Sequence, residues 1–302
     1  MEFLYLLQKI RSPFLDTVME LITQLGEETA FLVIALIVFW CVDKYKGYFI
    51  LTVGFIGTLA NQFMKLLFKI PRPWILDESF VIDEKVKEAA AGYSFPSGHT
   101  QNAVGTFGAL AFTGKNRYLR IIAAAIAVLV PFSRMYLSVH TPLDVFVAAA
   151  MACLFIVILK PLVLDRHRRV MPYMLGFMMI LSASFLVYVS CLDPQELDPH
   201  NLESGLKNAY TLFGCLCGLV VVYIADELWL KFPTKAVWWA QILKVAIGLG
   251  LVLAVKSGLK APIEALLGQS WGRALRYFLI VIVAGILWPL SFRLFSKIRS
   301  KR

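Results

Sequence analysis

Nine apolar runs decide what this chain can fold into. They cover residues 28–42, 47–69, 98–113, 118–138, 142–164, 172–191, 207–225, 237–255 and 274–293. Inside a bilayer a segment must satisfy its own backbone. Lacking the alternation of a barrel strand, each run can do so only as a helix. Several runs fall short of the roughly 20 residues that cross the hydrocarbon, so their ends are expected to reach into the polar flanks. Composition agrees with the pattern: 59% of the 302 residues are hydrophobic and 17% charged, against about 25% charged in a soluble domain. The expected fold is therefore all-α, a polytopic membrane bundle of about nine transmembrane helices. Residues 2–25 differ. Gln8, Lys9, Arg11, Asp16 and Glu20 interrupt them, so they read as interfacial helices, with a full span as the alternative.

The net charge of +10 would suit a nucleic-acid partner, but its distribution argues otherwise. The loops 43–47, 114–120, 165–170 and 231–235 and the tail from Arg293 hold 15 of the 30 Lys and Arg. Between them lie acidic loops, one with Asp77, Glu78, Asp83, Glu84 and Glu88, another with Asp193, Glu196, Asp198 and Glu203. Basic loops stay in the cytoplasm, so the acidic set is expected outside. No basic surface interleaved with aromatics is present, and no nucleic-acid partner is expected. The five cysteines, Cys41, Cys153, Cys191, Cys215 and Cys217, lie in or beside apolar runs and read as packing residues. No cleavable signal is expected, because Glu2 sits where a basic region should be.

Three stretches at the ends of apolar runs carry chemistry. The first is Ser133-Arg134 followed by His140 and Asp144. Within it, Thr141-Pro142-Leu143-Asp144 reads as a helix start, with Thr141 as N-cap, Pro142 at N1 and Asp144 closing a capping box. His140 then stands one turn from a carboxylate able to fix its tautomer. A capped helix with an incidental histidine would look the same from this stretch alone. The second, Pro96-Ser97-Gly98-His99, also reads as a loop entering a helix. Ser97 is its N-cap, Gly98 allows close backbone approach, and the free N–H groups make an anion site. The third runs from Lys65 to Arg72-Pro73 and ends a run with cations and prolines.

Together the three stretches resemble the signature motifs of the type 2 phosphatidic acid phosphatase superfamily: Lys-x6-Arg-Pro, Pro-Ser-Gly-His and Ser-Arg-x5-His-x3-Asp. Every specified residue is present with its spacing intact, and the resemblance covers roughly residues 13 to 165. The chemistry suits the residues. Cleaving a phosphate ester needs neutralisation of the phosphoryl oxygens, a nucleophile in line and a proton for the leaving group. Lys65, Arg72 and Arg134 offer cations, and the backbone at Ser97 and Gly98 offers neutral donors. His140 can attack through Nε2 if Asp144 accepts from Nδ1–H, and His99 can protonate the leaving oxygen. The residues alone leave the two histidine roles open. The resemblance implies that His140 forms a phosphohistidine, that His99 is the general acid and that neither metal nor other cofactor is needed.

The resemblance implies a membrane phosphatase acting on a lipid phosphate or diphosphate. Undecaprenyl diphosphate, phosphatidate-type lipids and sphingoid phosphates are the substrate classes it brings. A lipid phosphotransferase with the same site is the alternative within enzymes. A transporter is the alternative outside them, but it expects charges at mid-span and broken helices in repeated halves. Soluble vanadium haloperoxidases share the motifs, and the apolar runs exclude their way of life. The expected location is a bacterial cytoplasmic membrane, with the active site on its extracytoplasmic face. Residues 1–27 are expected as amphipathic helices, 28–165 as the phosphatase core and 170–302 as a four-helix membrane extension. The loop from Ile70 to Phe95 reads as a lid, an interfacial helix or a plain connector. Ser133 either supports Arg134 or contacts phosphate, and Lys69 reads as an interfacial anchor.

Overall fold

The computed structural model describes all residues except 81, 83–85, 88, 89, 91, 166, 196 and 299–302, and all side chains but those of residues 167 and 168. Asp83, Glu84, Glu88, Glu196 and Arg166, used above in the charge alternation, lie outside the described residues, as do Arg299, Lys301 and Arg302.

Among the described residues the secondary structure is helical, with no strand. Helices α1 (Glu2–Lys9), α2 (Pro13–Gln24) and α3 (Glu28–Ile37) open the chain, and α3 continues as a π-turn over Val38–Val42. Then come α4 (Lys44–Phe68), the short α5 (Pro73–Leu76) and α6. Helix α6 begins at Gly98–Ala103, widens to a π-turn at Val104–Gly108 and ends with Ala109–Thr113. After it follow α7 (Arg117–Tyr136), α8 (Pro142–Lys160), α9 (His167–Ser190), α10 (Pro199–Ala225), α11 (Trp238–Gly258), α12 (Lys260–Ile282) and the terminal α13 (Phe292–Lys297). Seven of the described stretches are long and apolar enough to cross a membrane. An eighth forms if Pro13–Gln24 and Glu28–Val42, bent by 51°, count as one span. The expected spans 28–42 and 98–113 are helical throughout but too short to enter that count.

The chain divides into two compact units. The first holds Met1–Ile34, Phe49–Leu162 and Leu197–Gly205. Local signals start its helices. Ser12 caps α2, its hydroxyl accepting from Leu15 N at 3.3 Å, with Pro13 at N1. Asn116 caps α7 through Tyr118 N and Leu119 N. Helix α2 lies along α7. At Gly26, just past α2, a Cβ would stand 2.7 Å from Val130 Cγ1 and 2.9 Å from His99 O, so only glycine permits this approach. Helix α1 buries Leu4 and Leu7 with Phe80, Ile82 and Ala90 of the 70–95 loop and with Tyr136, Leu137 and Val139. Tyr5 stacks on Phe80 and donates its hydroxyl to Asp77, and Gln8 reaches Ser79 O. The described part of that loop is therefore held down by the first helix.

The second unit holds Ala35–Tyr48, Val163–Glu196 and Leu206–Arg302. Here helices meet through small residues. Cβ atoms at Gly214 and Gly218 would run into Ala274 O and Val281, so α10 and α12 touch backbone to backbone. Two lysines of this unit have close polar partners. Lys44 Nζ meets Asp226 Oδ2 at 2.8 Å. The fully buried Lys244 donates to Trp40 O at 2.8 Å and Thr234 O at 3.0 Å, with its ammonium 4.2 Å from the Phe292 ring centre. Helix α12 starts at Lys260 and kinks at Gly268, whose φ of 73° suits glycine.

Candidate active site

The three motif stretches meet within the first unit, and hydrogen bonds lace them together. Ser94 N donates to Ile70 O at 2.8 Å, Ser97 N to Asp144 O at 3.1 Å, and Arg72 Nη1 to Val139 O at 3.0 Å.

Each stretch is shaped by its own helix end. Lys65 sits on the last turn of α4, where a cation is favoured by the helix dipole. The helix ends at Phe68, and Lys69 turns the chain with φ of 49°. Lys69 thus serves as the turn residue that ends α4. Arg72 then takes the N-cap position of α5, with Pro73 behind it. Ser97 caps α6 by accepting from Thr100 N at 3.4 Å. Asn61, one turn before Lys65 on α4, donates to Pro96 O and so holds this loop from below.

The interval between Arg134 and His140 is a folded device. Helix α7 closes in a Schellman turn: Val139 N bonds Arg134 O at 3.1 Å and Ser138 N bonds Met135 O at 3.0 Å. Ser138 takes the left-handed position, φ 57°, that glycine usually fills. The chain then emerges at His140 and enters α8 at once through the capping box of Thr141 and Asp144. Ser133 Oγ donates to Val130 O at 2.7 Å, so it braces the helix around Pro131.

At the centre is His140, 1% exposed. Arg72 Nη1 stands 2.8 Å from its Nε2. A guanidinium can only donate, so Nε2 must accept and the ring proton must sit on Nδ1. Nδ1 lies 3.5 Å from Asp144 Oδ2 and 3.3 Å from Ser94 Oγ. Burial, and then the charges of Arg72, Arg134 and Lys65 with His99, press the His140 pKa well below its usual value. The imidazole is accordingly neutral, with its Nε2 lone pair toward Arg72.

The cations are buried as well. Lys65 donates to Tyr93 O and Arg72 Nε to Gly92 O at 3.0 Å. Arg134 Nη1 donates to Thr23 Oγ1 of α2 at 2.8 Å, while its buried Nε has no partner. His99 is half-buried at the start of α6 and lies within the fields of Arg134, Arg72 and Lys65. Gly98 stands beside it, its Cα side toward Asn61 Oδ1. Among the described residues no three His, Cys, Asp or Glu side chains converge as metal ligands.

Four residues in this region escaped the sequence reading. Thr23, Gly26 and Ser94 reach it from distant positions with no local pattern. Asn61 carried a usable signal, since it shares a helix face with Lys65 at i, i+4.

Residues 45–168 match the PAP2 superfamily, and residues 210–301 match the PAP2 superfamily phosphatase transmembrane extension. Phosphatidylglycerophosphatase B of Bacillus subtilis is 30% identical over 164 residues, which cover 50% of this chain and 76% of that protein. A Dictyostelium discoideum protein named "Probable sphingosine-1-phosphate phosphatase" is 28% identical over 229 residues, 70% of this chain and 53% of that protein. Among solved structures, LpxE of Aquifex aeolicus aligns with a TM-score of 0.47 at 28% identity, over 52% of this chain and 92% of that one.

Proposed function

This chain belongs to the PAP2 superfamily and is a membrane hydrolase of lipid phosphates, and from that premise we propose a phosphohistidine mechanism centred on His140. The observation that carries it is the Arg72 contact with Nε2, which calls for the Nδ1–H tautomer and keeps the Nε2 lone pair toward a cation, in the field of Arg134 and Lys65.

Lys65, Arg72 and Arg134, with the Gly98 N–H at the start of α6 and the Ser97 hydroxyl, hold the phosphoryl oxygens, the Ser97 N–H being committed to Asp144 O. Arg72 exchanges the His140 lone pair for a phosphate oxygen. Nε2 attacks phosphorus, and the bond to the leaving oxygen breaks as the N–P bond forms. His99 gives its proton to the leaving oxygen. The imidazolium keeps its proton on Nδ1, next to Asp144. Water then attacks phosphorus, the N–P bond breaks, and His99 takes the proton back. Buried positive charge acts most on the dianionic transition state, where water is excluded.

The substrate is a lipid phosphomonoester or diphosphate of the isoprenyl diphosphate, phosphatidate or sphingoid phosphate class. The names of the two relatives, one a phosphatidylglycerophosphatase and one a sphingosine-1-phosphate phosphatase, support a lipid carrier. The charge alternation of the loops supports a site on the extracytoplasmic face of its membrane. The test is phosphate release from a panel of these lipids and a soluble sugar phosphate, with chelator present, together with acid-quench trapping of labelled phosphoenzyme. Turnover on lipids and a covalent label that vanishes in His140→Ala are expected, with a rate loss of about 10⁴-fold or more. Label persisting in His140→Ala would reject the assignment. Phosphate passing to an added acceptor lipid, in place of water, would make the protein a transferase.

A further inference from the structure

Ser94 lies two residues before the Pro-Ser-Gly-His stretch and belongs to none of the three motifs. It is fully buried. Its backbone N–H is committed to Ile70 O, which fixes where the side chain stands. Its hydroxyl lies 2.6 Å from Asp144 Oδ2 and 3.3 Å from His140 Nδ1. The carboxylate oxygen is 3.5 Å from the same ring nitrogen, too long for a good direct bond. The same oxygen also accepts from Thr141 N at 2.8 Å, as part of the helix cap.

These distances allow one arrangement of hydrogens. Asp144 Oδ2 accepts, so the single hydroxyl proton of Ser94 points to it. The lone pairs of Ser94 Oγ then face His140. Arg72 donates to Nε2, so Nδ1 carries the proton and donates it toward Ser94. The reverse tautomer would set Nε2–H against the Arg72 N–H. It would also draw the Ser94 proton away from the carboxylate.

We propose that Ser94 is a positioning residue, the link through which Asp144 holds His140 in its nucleophilic tautomer. Asp144 is shared between two tasks, capping α8 and orienting the nucleophile, and its direct reach to Nδ1 is long. The serine closes the gap. When Nε2 bonds phosphorus the ring becomes cationic, and the Nδ1 proton stays on Nδ1, stabilised by Ser94 Oγ, whose own proton stays toward Asp144. No proton leaves the chain, so the link acts by orientation and polarisation. This inference rests on the reading of His140 as nucleophile.

The experiment compares purified Ser94→Ala, Ser94→Cys and His140→Ala in detergent or nanodiscs. Ser94→Ala removes the link. Ser94→Cys keeps the shape with a weak donor and acceptor. Loss of a buried hydrogen bond of this kind corresponds to a fall in kcat of about ten- to a hundredfold. KM and inhibition by orthophosphate should stay within about twofold, because the cations that bind phosphate are untouched. Ser94→Cys should fall between wild type and Ser94→Ala. In protein labelled with ¹⁵N-histidine, the wild-type His140 signals should report the Nδ1–H form, and Ser94→Ala should show both tautomers. Unchanged kcat in Ser94→Ala, or equal losses of kcat and phosphate affinity, would overturn the proposal. So would a single unaltered tautomer. If His140→Ala kept its turnover, the phosphohistidine reading itself would fail, and that result is separate from any outcome at Ser94.

Discussion

The two units bury charge in different ways. In the second unit two cations stand beside carboxylates, Lys44 with Asp226 and Arg276 3.5 Å from Glu264, while the Lys244 ammonium is capped by two carbonyls and a ring face. In the first, Lys65, Arg72 and Arg134 gather around a neutral histidine and donate to carbonyls, a hydroxyl and an imidazole. The acid in their midst, Asp144, is occupied by Ser94 and Thr141. Buried charges normally come paired, and unpaired ones are costly. A matched set reads as architecture. Three buried cations gathered around one histidine and one carboxylate read as a site with positive charge in excess, suited to an anion.

The largest expected difference follows from removing one cation in each unit. Arg134→Met should lower kcat/KM by about 10²- to 10³-fold with the fold retained. It should also abolish stabilisation by orthophosphate, which in the wild type reaches about 2.7 kcal/mol at a hundred times the dissociation constant. Lys244→Ala should do the reverse. Turnover per folded molecule stays within about threefold, while stability falls by about 2–4 kcal/mol through a cavity and two abandoned carbonyls. Kinetics and thermal unfolding of both variants check this, and an active Arg134→Met would erase the contrast.

The next effect is on pH. His140 is held neutral in the folded protein, its pKa pressed down by burial and then by Arg72, Arg134 and Lys65. In the unfolded chain it takes a proton near pH 6.5. Between that value and its depressed folded pKa the unfolded state binds more protons, so stability rises with pH in this window and is lost as pH falls through it. The slope contributed is at most about 1.4 kcal/mol per pH unit. Denaturation across pH 4.5 to 7 should show a shallower slope in His140→Ala. The same slope in both proteins would place the proton uptake elsewhere.

The smallest effect sharpens the comparison most. Besides Lys69, two non-glycine residues have left-handed backbone: Ser138 in the first unit, φ 57°, and Lys231 in the second, φ 39°. Glycine at either should relieve strain and stabilise by about 1 kcal/mol. Only Ser138→Gly should also change kcat, since the turn it loosens carries His140. Equal kinetics for the two variants would mean that the turn does not position the nucleophile.

Much of this was legible in the sequence because it is local. Helix caps at Ser97 and Thr141 depend on residues three apart, and apolar runs announce helices by themselves. The rest depends on contacts over long separations. Nothing near Ser94 marks it as a neighbour of Asp144, and Thr23 reaches Arg134 across more than a hundred residues. Gly26 looks like an ordinary turn glycine until His99 is found against it. The start of α12 at Lys260 was hidden because Glu264 and Gln269, on either side of the Gly268 kink, dilute the apolar signal. The close approach of α10 to α12 had a trace in Gly214 and Gly218, one turn apart, but the partner helix could not be named from it.

The turn between Arg134 and His140 bears on what a sequence motif specifies. Its five intervening positions are conventionally written as free. Yet Tyr136, Leu137 and Val139 are buried beside Leu4 and Leu7, and Ser138 must tolerate a left-handed backbone. The spacing is thus the length of a gauge: one helix ending, one reversal and one helix beginning, closed by hydrogen bonds that leave no slack. A residue inserted there would rotate His140, the proposed nucleophile, away from the arginine that precedes it. The letters between the named ones carry the tolerance of a machined part, and their latitude is set by the core they face.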